Sequence, residues 1–511
     1  MAVQTFAAIH VGSNDTSMKI YQIMPRKGFK LLDTANSHVE LGADTYNAGK
    51  LSNTSIDLLC EILFKFRSKM KEYGVTEYKA YATSAIREAE NCEMVLDRIF
   101  TKTGIVVKTA SNSEHRFMMY EGIAATLENF SKIITKNTAV LDVGAGSIQI
   151  SIFDKQKMTI TQNLPIGALR VRENLSSVDV SVGHMKEVME EYIENELATF
   201  ESMFLKDKEI KNIIGVGEEL TELATLIPEM HIQDTIDAKQ LDTICKKLEN
   251  KTAQHISEEY GIAYDRATLL VPAALIYKML LTKAKADVIY VAKATFCDGM
   301  VAEYMENEKK LKLGHDFQAD IVSSAKSISK RYRCNKLHCQ MVANHALSIY
   351  DSMKSLHGLD KRARLQLELA SILHDCGKFV NLNNVADNSF HIIMSTEILG
   401  ISHQERLEIA CICKYNTIPF PSYDALVEDL TKEQYSKVAK LVAILKVANA
   451  MDRSHKQKIS KFSVNIKNKQ LVITADTVHD IALEAGLFES KANFFEDVYG
   501  IRPVLRQKRS V

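Results

Sequence analysis

Residues 140 to 152, VLDVGAGSIQISI, constrain the fold more than any other stretch: an apolar strand breaks at an Asp-x-Gly-x-Gly-Ser turn and resumes as a second strand. Val140 and Leu141 drive the first strand into a core, and Gly144 and Gly146 permit tight backbone angles that a Cβ would oppose. The tip is therefore mostly bare backbone. Its N–H groups and the Ser147 hydroxyl suit phosphate oxygens, while Asp142 at the strand end suits a divalent cation or a water. On its own the pattern describes an ordinary glycine hairpin equally well.

A second copy shifts the balance toward a phosphate site. Residues 7–20, AAIHVGSNDTSMKI, again run from an apolar strand through a turn, Gly12-Ser13-Asn14, into an alternating strand. Turns of this kind about 130 residues apart suggest a duplicated domain pair, each half supplying one backbone cradle to a phosphate chain.

With these turns, YATSAIREAEN at 81–91, Glu114-His115-Arg116, LPIGALR at 164–170 and YDRATLLVPAALI at 264–276, the sequence resembles the Ppx/GppA family of exopolyphosphatases and guanosine pentaphosphate phosphohydrolases, within the actin-like ATPase superfamily. The resemblance implies an α/β protein with two actin-like (ribonuclease H-like) domains at 1–125 and 126–305. An all-α HD-like domain at 306–455 and a small α+β segment at 456–511 complete the expected order. It further implies release of terminal phosphate from inorganic polyphosphate or guanosine pentaphosphate, with Mg²⁺ or Mn²⁺ and an activated water, in a cytoplasmic homodimer.

The same resemblance distributes roles. Gly12, Ser13, Asn14, Gly144, Gly146 and Ser147 would cradle phosphates, and Arg87 would join them from a helix start capped by Thr83 and Ser84. Gly167 and Arg170 would lie near the cleft. Aligned on Arg116, Glu114 takes the place of the glutamate that positions the attacking water, and Asp142 would hold the metal. Three departures stand out. His10 replaces the Asp that begins the first cradle, Gln149 replaces a Glu after the second, and Gly217-Glu218-Glu219 replaces Gly-Gly-Thr. His10 could still ligate, favouring Mn²⁺ over Mg²⁺, with Gln149 as a neutral ligand. The lost carboxylates keep open a second reading, a weak or inactive sensor of polyphosphate or an alarmone. The two glutamates disfavour a third, a sugar-kinase-like ATPase, because like charges repel phosphate unless a cation intervenes.

In the helical region, His338, the adjacent His374-Asp375 pair and Asn449 stand at the positions of an HD-type metal set. An amide supplies no anionic charge, so the set reads as a hydrogen-bonded remnant in a structural domain.

Composition narrows the partners. With 64 Lys plus Arg against 64 Asp plus Glu in 511 residues, no global basic field recruits nucleic acid or an acidic membrane. The nine cysteines include no CxxC pair and read as reduced, mostly buried thiols. No unbroken apolar run reaches about 18 residues and the N-terminus shows no signal-like core, which gives the cytoplasmic expectation. The basic RQKRSV end reads as a solvated terminus.

Overall fold

A computed structural model describes residues 4–178, 182–206, 208–227 and 235–508; the last three residues of the basic end lie outside these. The chain divides into two compact units, 1–320 and 321–511, and the division falls within the helix Phe317–Arg331.

The first unit contains two sheets of matching plan. The first comprises β1 (Thr5–Val11), β2 (Asp15–Met24), β3 (Gly28–His38), β4 (Glu77–Ala82) and β5 (Lys108–Thr109), in the order β3-β2-β1-β4-β5. β1, β2 and β3 form an antiparallel meander, and β4 and β5 add in parallel. The second comprises β6 (Thr138–Val143), β7 (Ile148–Asp154), β8 (Lys157–Leu164), β9 (Asn212–Val216), β10 (Thr235–Asp237) and β11 (Val288–Val291), in the order β10-β11-β9-β6-β7-β8. Again a meander, β6-β7-β8, is extended in parallel, by β9 and β11. The duplication expected from the paired turns is thus present in the strand order. Both turns join the first two strands of their meander.

Burial explains why these strands read as nearly continuous apolar runs. Every residue of β6 is buried, as is all of β7 except Asp154, because helices cover both faces of a central strand. The helix Asn53–Glu72 buries Ile56, Leu59, Ile62, Leu63 and Phe66, the helical spacing legible in the sequence, and Ser52 caps it. The helix Tyr264–Ala284 is long and apolar enough to cross a membrane, yet 67% of its most apolar window is buried inside the fold, as in a core helix.

The helix Phe296–Asn307, expected to end the second half, instead returns to the first sheet. Tyr304 stacks on Phe6 with ring centroids 4.6 Å apart, and Asp298 accepts from Lys19 Nζ at 3.0 Å and from Tyr21 OH at 2.8 Å. It also crosses the helix Asn112–Thr126 at Gly122 and Gly299. A Cβ on Gly299 would stand 2.1 Å from the Met118 carbonyl oxygen, so only glycine allows this approach.

The second unit is helical through Lys336–Ser352, Lys361–Leu373, Val385–Met394, His403–Tyr415 and Lys432–Ala450. It ends in a sheet of β12 (Phe462–Lys467), β13 (Gln470–Asp476) and β14 (Arg502–Lys508). β13 and β14 run parallel and are connected through the helix Ala482–Tyr499, which packs on Lys432–Ala450.

Candidate phosphate cleft

The two glycine turns line one cavity of about 170 Å³, together with His10, Arg87, Asp142 and Gln149. Their coupling is direct. Ser13 Oγ lies 2.8 Å from Tyr46 OH and 2.9 Å from Ser84 Oγ, and those two hydroxyls are 3.1 Å apart, closing a triangle. Gly146 rests against it: a Cβ there would come 2.0 Å from Tyr46 OH. Gly12 is confined similarly, with the Asp15 carbonyl oxygen 2.8 Å from where its Cβ would be. The glycines at 12, 144 and 146 are absent from the positive-φ residues, so close approach, rather than the tight backbone angles read from the sequence at 144 and 146, requires glycine at 12 and 146. Within the cleft only Gly217, at φ 132°, takes the glycine-favouring conformation.

Neighbouring elements lock the second turn. Ala168 N–H donates to the Gly144 carbonyl at 3.3 Å and Arg170 N–H to that of Ala145 at 3.1 Å. Arg170 Nε donates to the Gly146 carbonyl at 2.8 Å while its guanidinium covers the Tyr46 ring at 3.9 Å. Gly167 and Arg170 therefore brace the turn from behind. A Cβ on Gly167 would meet the Gly144 and Ala145 carbonyls at 2.4 Å.

Arg87 ends the short helix Ser84–Arg87, donating to the Ala110 carbonyl at 2.7 Å and to Asn112 Oδ1 at 2.6 Å. The expected capping does not occur: Thr83 makes no side-chain cap, and Ser84 belongs to the hydroxyl triangle.

Glu114 takes part in a cap the sequence reading did not anticipate. Its carboxylate accepts from Ser111 N–H at 3.0 Å and Ser111 Oγ at 2.7 Å, completing a capping box at the start of Asn112–Thr126. The residue facing the cleft is its neighbour, His115. Successive helical positions point about 100° apart, and Glu114, whose Oε2 makes both of these bonds, is not among the residues that line the cavity. His115 Nδ1 accepts from Gln149 Nε2 at 2.5 Å and lies 3.9 Å from Asp142 Oδ2. Gln149 Oε1 in turn accepts from Arg116 Nε at 3.3 Å. Both ends of the amide are thereby engaged, its oxygen keeping one lone pair beyond the bond from Arg116. With Nδ1 accepting, this network places the His115 proton on Nε2.

Burial dominates the electrostatics. It lowers His10 to about 4 and His115 well below the usual histidine range, so both rings are neutral. Burial raises Asp142 to about 7 against the opposing charge of Arg116. Burial, reinforced by Glu218, Asp15 and Asp142, raises Glu219 to about 8. Glu218 is paired with Arg266 at 2.8 Å. Asn14 Oδ1 is buried and unbonded, an acceptor without a donor. Asn14 and Asp142 line the same cavity, and such oxygens are of the type that a hard divalent cation such as Mg²⁺ or Mn²⁺ takes. His10 Nε2 stands 3.4 Å from Thr83 Oγ1.

Several residues at the cleft escaped the sequence reading: His115, Lys293 and the start of Phe296–Asn307, where Thr295 and Asp298 form a capping box, along with Tyr46, which bonds Ser13 and Ser84 beside it. Glu114-His115 did mark the right helix. Nothing local distinguished Tyr46 or Lys293.

A model of the Ppx/GppA phosphatase family matches residues 19–308, and one of Ppx/GppA phosphatase domain III matches 322–490. The chain belongs to the Ppx/GppA phosphatase family. Among its relatives are exopolyphosphatase 1 of Mycobacterium tuberculosis, 22% identical over 59% of this chain and 88% of that protein. The guanosine-5′-triphosphate,3′-diphosphate pyrophosphatase of Photobacterium profundum is 20% identical over 92% of this chain and 91% of its own. Of solved family structures, an exopolyphosphatase from Cytophaga hutchinsonii superposes with TM-score 0.54 at 21% identity, covering 61% of this chain and all of that one. The Aquifex aeolicus Ppx/GppA protein superposes at 0.51 and 22%, covering 60% and 99%. These likenesses carry the fold of the first unit.

In the second unit His338, His374 and Asp375 do assemble, but the expected fourth position is displaced. The carboxylate beside His338 belongs to Asp452, at 2.9 Å from Nδ1, rather than to the position of Asn449.

Proposed function

We propose that the cleft binds inorganic polyphosphate or guanosine pentaphosphate and hydrolyses its terminal phosphoanhydride, using Mg²⁺ or Mn²⁺. The observation that carries this reading is the convergence of two backbone turns on one cavity that also contains the buried Asp142 carboxylate. Turn N–H groups and the start of Phe296–Asn307 suit phosphate oxygens, while Arg87 and Lys293 bring positive charge. Asp142 orients the water: the water oxygen attacks phosphorus, the anhydride P–O bond breaks, and the water proton passes to the carboxylate. His115, with its proton on Nε2, acts as a donor. A divalent ion held by Asp142 and Asn14 would screen phosphate charge.

A second reading, a binding protein of the same fold, is favoured by one specific contact. Because Gln149 occupies the Nδ1 lone pair of His115, that ring has no lone pair left for accepting a proton. Phosphate release from polyphosphate and guanosine pentaphosphate, with each metal, decides between the two. Release that is lost in Asp142→Asn supports hydrolysis; calorimetric binding with no release under any metal supports the sensor.

A further inference from the structure

Separate from the cleft, the second unit holds two thiols at a place where the geometry of a helix start brings side chains together. The helix Lys336–Ser352 begins at Asn335, whose Oδ1 accepts from His338 N–H at 3.2 Å. Cys339 N–H then donates to the Asn335 carbonyl at 2.9 Å. Counted from this cap, Cys334 is the residue just before it and Cys339 is the fourth residue of the helix. Side chains at those two positions commonly pack on each other and fix how the chain enters the helix. Apolar residues are the ordinary occupants. Here both positions are cysteine, and their thiols are hydrogen-bonded to each other.

The preceding backbone holds Cys334 in place. Arg333 takes φ 53°, a left-handed exit from the helix Phe317–Arg331, and Cys334 N–H donates to the Ser329 carbonyl at 3.0 Å. Exposure separates the two thiols. Cys339 is 3% exposed, whereas Cys334 and Cys92 are the cysteines of this chain that are not buried. Cys92 begins a helix of the first unit, Cys92–Thr103. Cys334 is thus reachable from solvent with a second, buried thiol already at its side. An accessible thiol next to a resolving one is the arrangement that oxidation to a disulfide requires.

We infer that Cys334 and Cys339 form a reversible oxidation site that reacts with hydrogen peroxide. The Cys334 sulfur attacks one peroxide oxygen: the O–O bond breaks, the sulfur is oxidised to a sulfenic acid, and the departing oxygen leaves as water with the thiol proton. The Cys339 sulfur then attacks the Cys334 sulfur, the S–O bond breaks, and the sulfenic oxygen leaves as water with the Cys339 proton. Both thiols together give up two electrons, and the peroxide is reduced to two waters. The resulting disulfide makes the contact across the Asn335 cap covalent.

The full chain, reduced and desalted, is treated with hydrogen peroxide, alkylated after unfolding and digested with trypsin. Cleavage after Lys336 separates the two cysteines, so the disulfide registers as peptide 334–336 joined to peptide 337–354. Of the nine thiols, two should be lost to alkylation, and dithiothreitol should restore both. In Cys339→Ser the cross-link cannot form, and dimedone should trap Cys334 as the sulfenic acid. No joined peptide in the parent, Cys334 joined to another cysteine such as Cys376, or equal dimedone trapping in parent and variant overturns the inference. Should Cys339→Ser not fold, the parent alone decides: the joined peptide is expected at peroxide levels that leave Cys92 reduced, and oxidation of Cys92 without the joined peptide counts against the site.

Discussion

The side-chain amide of Gln149 donates to His115 Nδ1 over 2.5 Å, while its carbonyl oxygen accepts from Arg116. That orientation keeps the His115 proton on Nε2. A carboxylate at 149 would reverse it, since only Nδ1–H can donate to a carboxylate. Gln149→Glu should therefore turn His115 Nε2 into an acceptor and return negative charge beside Asp142. Combined with His10→Asp, it should raise Mg²⁺-dependent phosphate release by about tenfold or more, the scale of single positioned groups. Initial rates against metal concentration measure this, with folding followed by circular dichroism. A folded double variant no faster than the parent would show that missing carboxylates do not limit the reaction.

Glu114 bonds its own helix cap, so its loss should register in stability and leave chemistry alone. Glu114→Ala should cost about 0.5–2 kcal/mol, the range for removing a capping interaction, with kcat/KM unchanged within about twofold. Chemical denaturation and steady-state kinetics on one preparation test both halves. A large fall in kcat in a folded Glu114→Ala protein would return that carboxylate to the cleft.

Arg87 joins the cleft wall to Ala110 and Asn112. Arg87→Ala should weaken polyphosphate binding by about 1.5–3 kcal/mol, the net value of hydrogen bonds to charged groups. It should also lower the melting temperature, because the Ala110 carbonyl and Asn112 lose their donor. Calorimetry giving the parent affinity would place Arg87 outside the phosphate path.

Gly146 abuts the hydroxyls that link the turns. In Gly146→Ala the new methyl would collide with Tyr46 OH, 2.0 Å from the added Cβ. A loss of about 1–3 kcal/mol is expected from such overpacking, together with weaker phosphate-chain affinity. Tyr46→Phe in the same chain removes the colliding oxygen and should recover part of the stability. No recovery would mean that the clash is relieved elsewhere.

Glu219 is raised to about 8, chiefly by burial and secondarily by the carboxylates around it. An acid whose folded value exceeds its unfolded value binds more protons when folded. Its stabilising contribution is complete below about 4.5 and disappears as pH rises through about 8. Melting temperature should thus decline between those limits in metal-free buffer, and Glu219→Gln should flatten the decline. Identical pH profiles for parent and variant would remove Glu219 as the cause.

The sequence by itself determined the parts that depend on neighbours along the chain. Alternation and apolar runs marked β1, β2, β6 and β7, glycines marked the two turns, and the interval between them announced the repeat later visible in the matching strand orders. Local steric demands explain that legibility: a turn needing a bare backbone records the need as glycine. Even there the reason differed, because Gly146 is fixed by Tyr46 and Ser84 from distant segments rather than by its own φ. Only the tertiary structure decided which polar residues meet. Glu114 and His115 are adjacent, equally polar and both near a helix start, yet His115 lines the cavity while Glu114 Oε2 bonds the Ser111 cap. Asn449 and Asp452 lie near the end of the same helical stretch, and the turn after Ala450 brings Asp452 onto His338. A helix advances each residue by about 100° around its axis, so a displacement of one position along the chain redirects a side chain entirely. That direction acquires chemical meaning only once the opposing segments have packed.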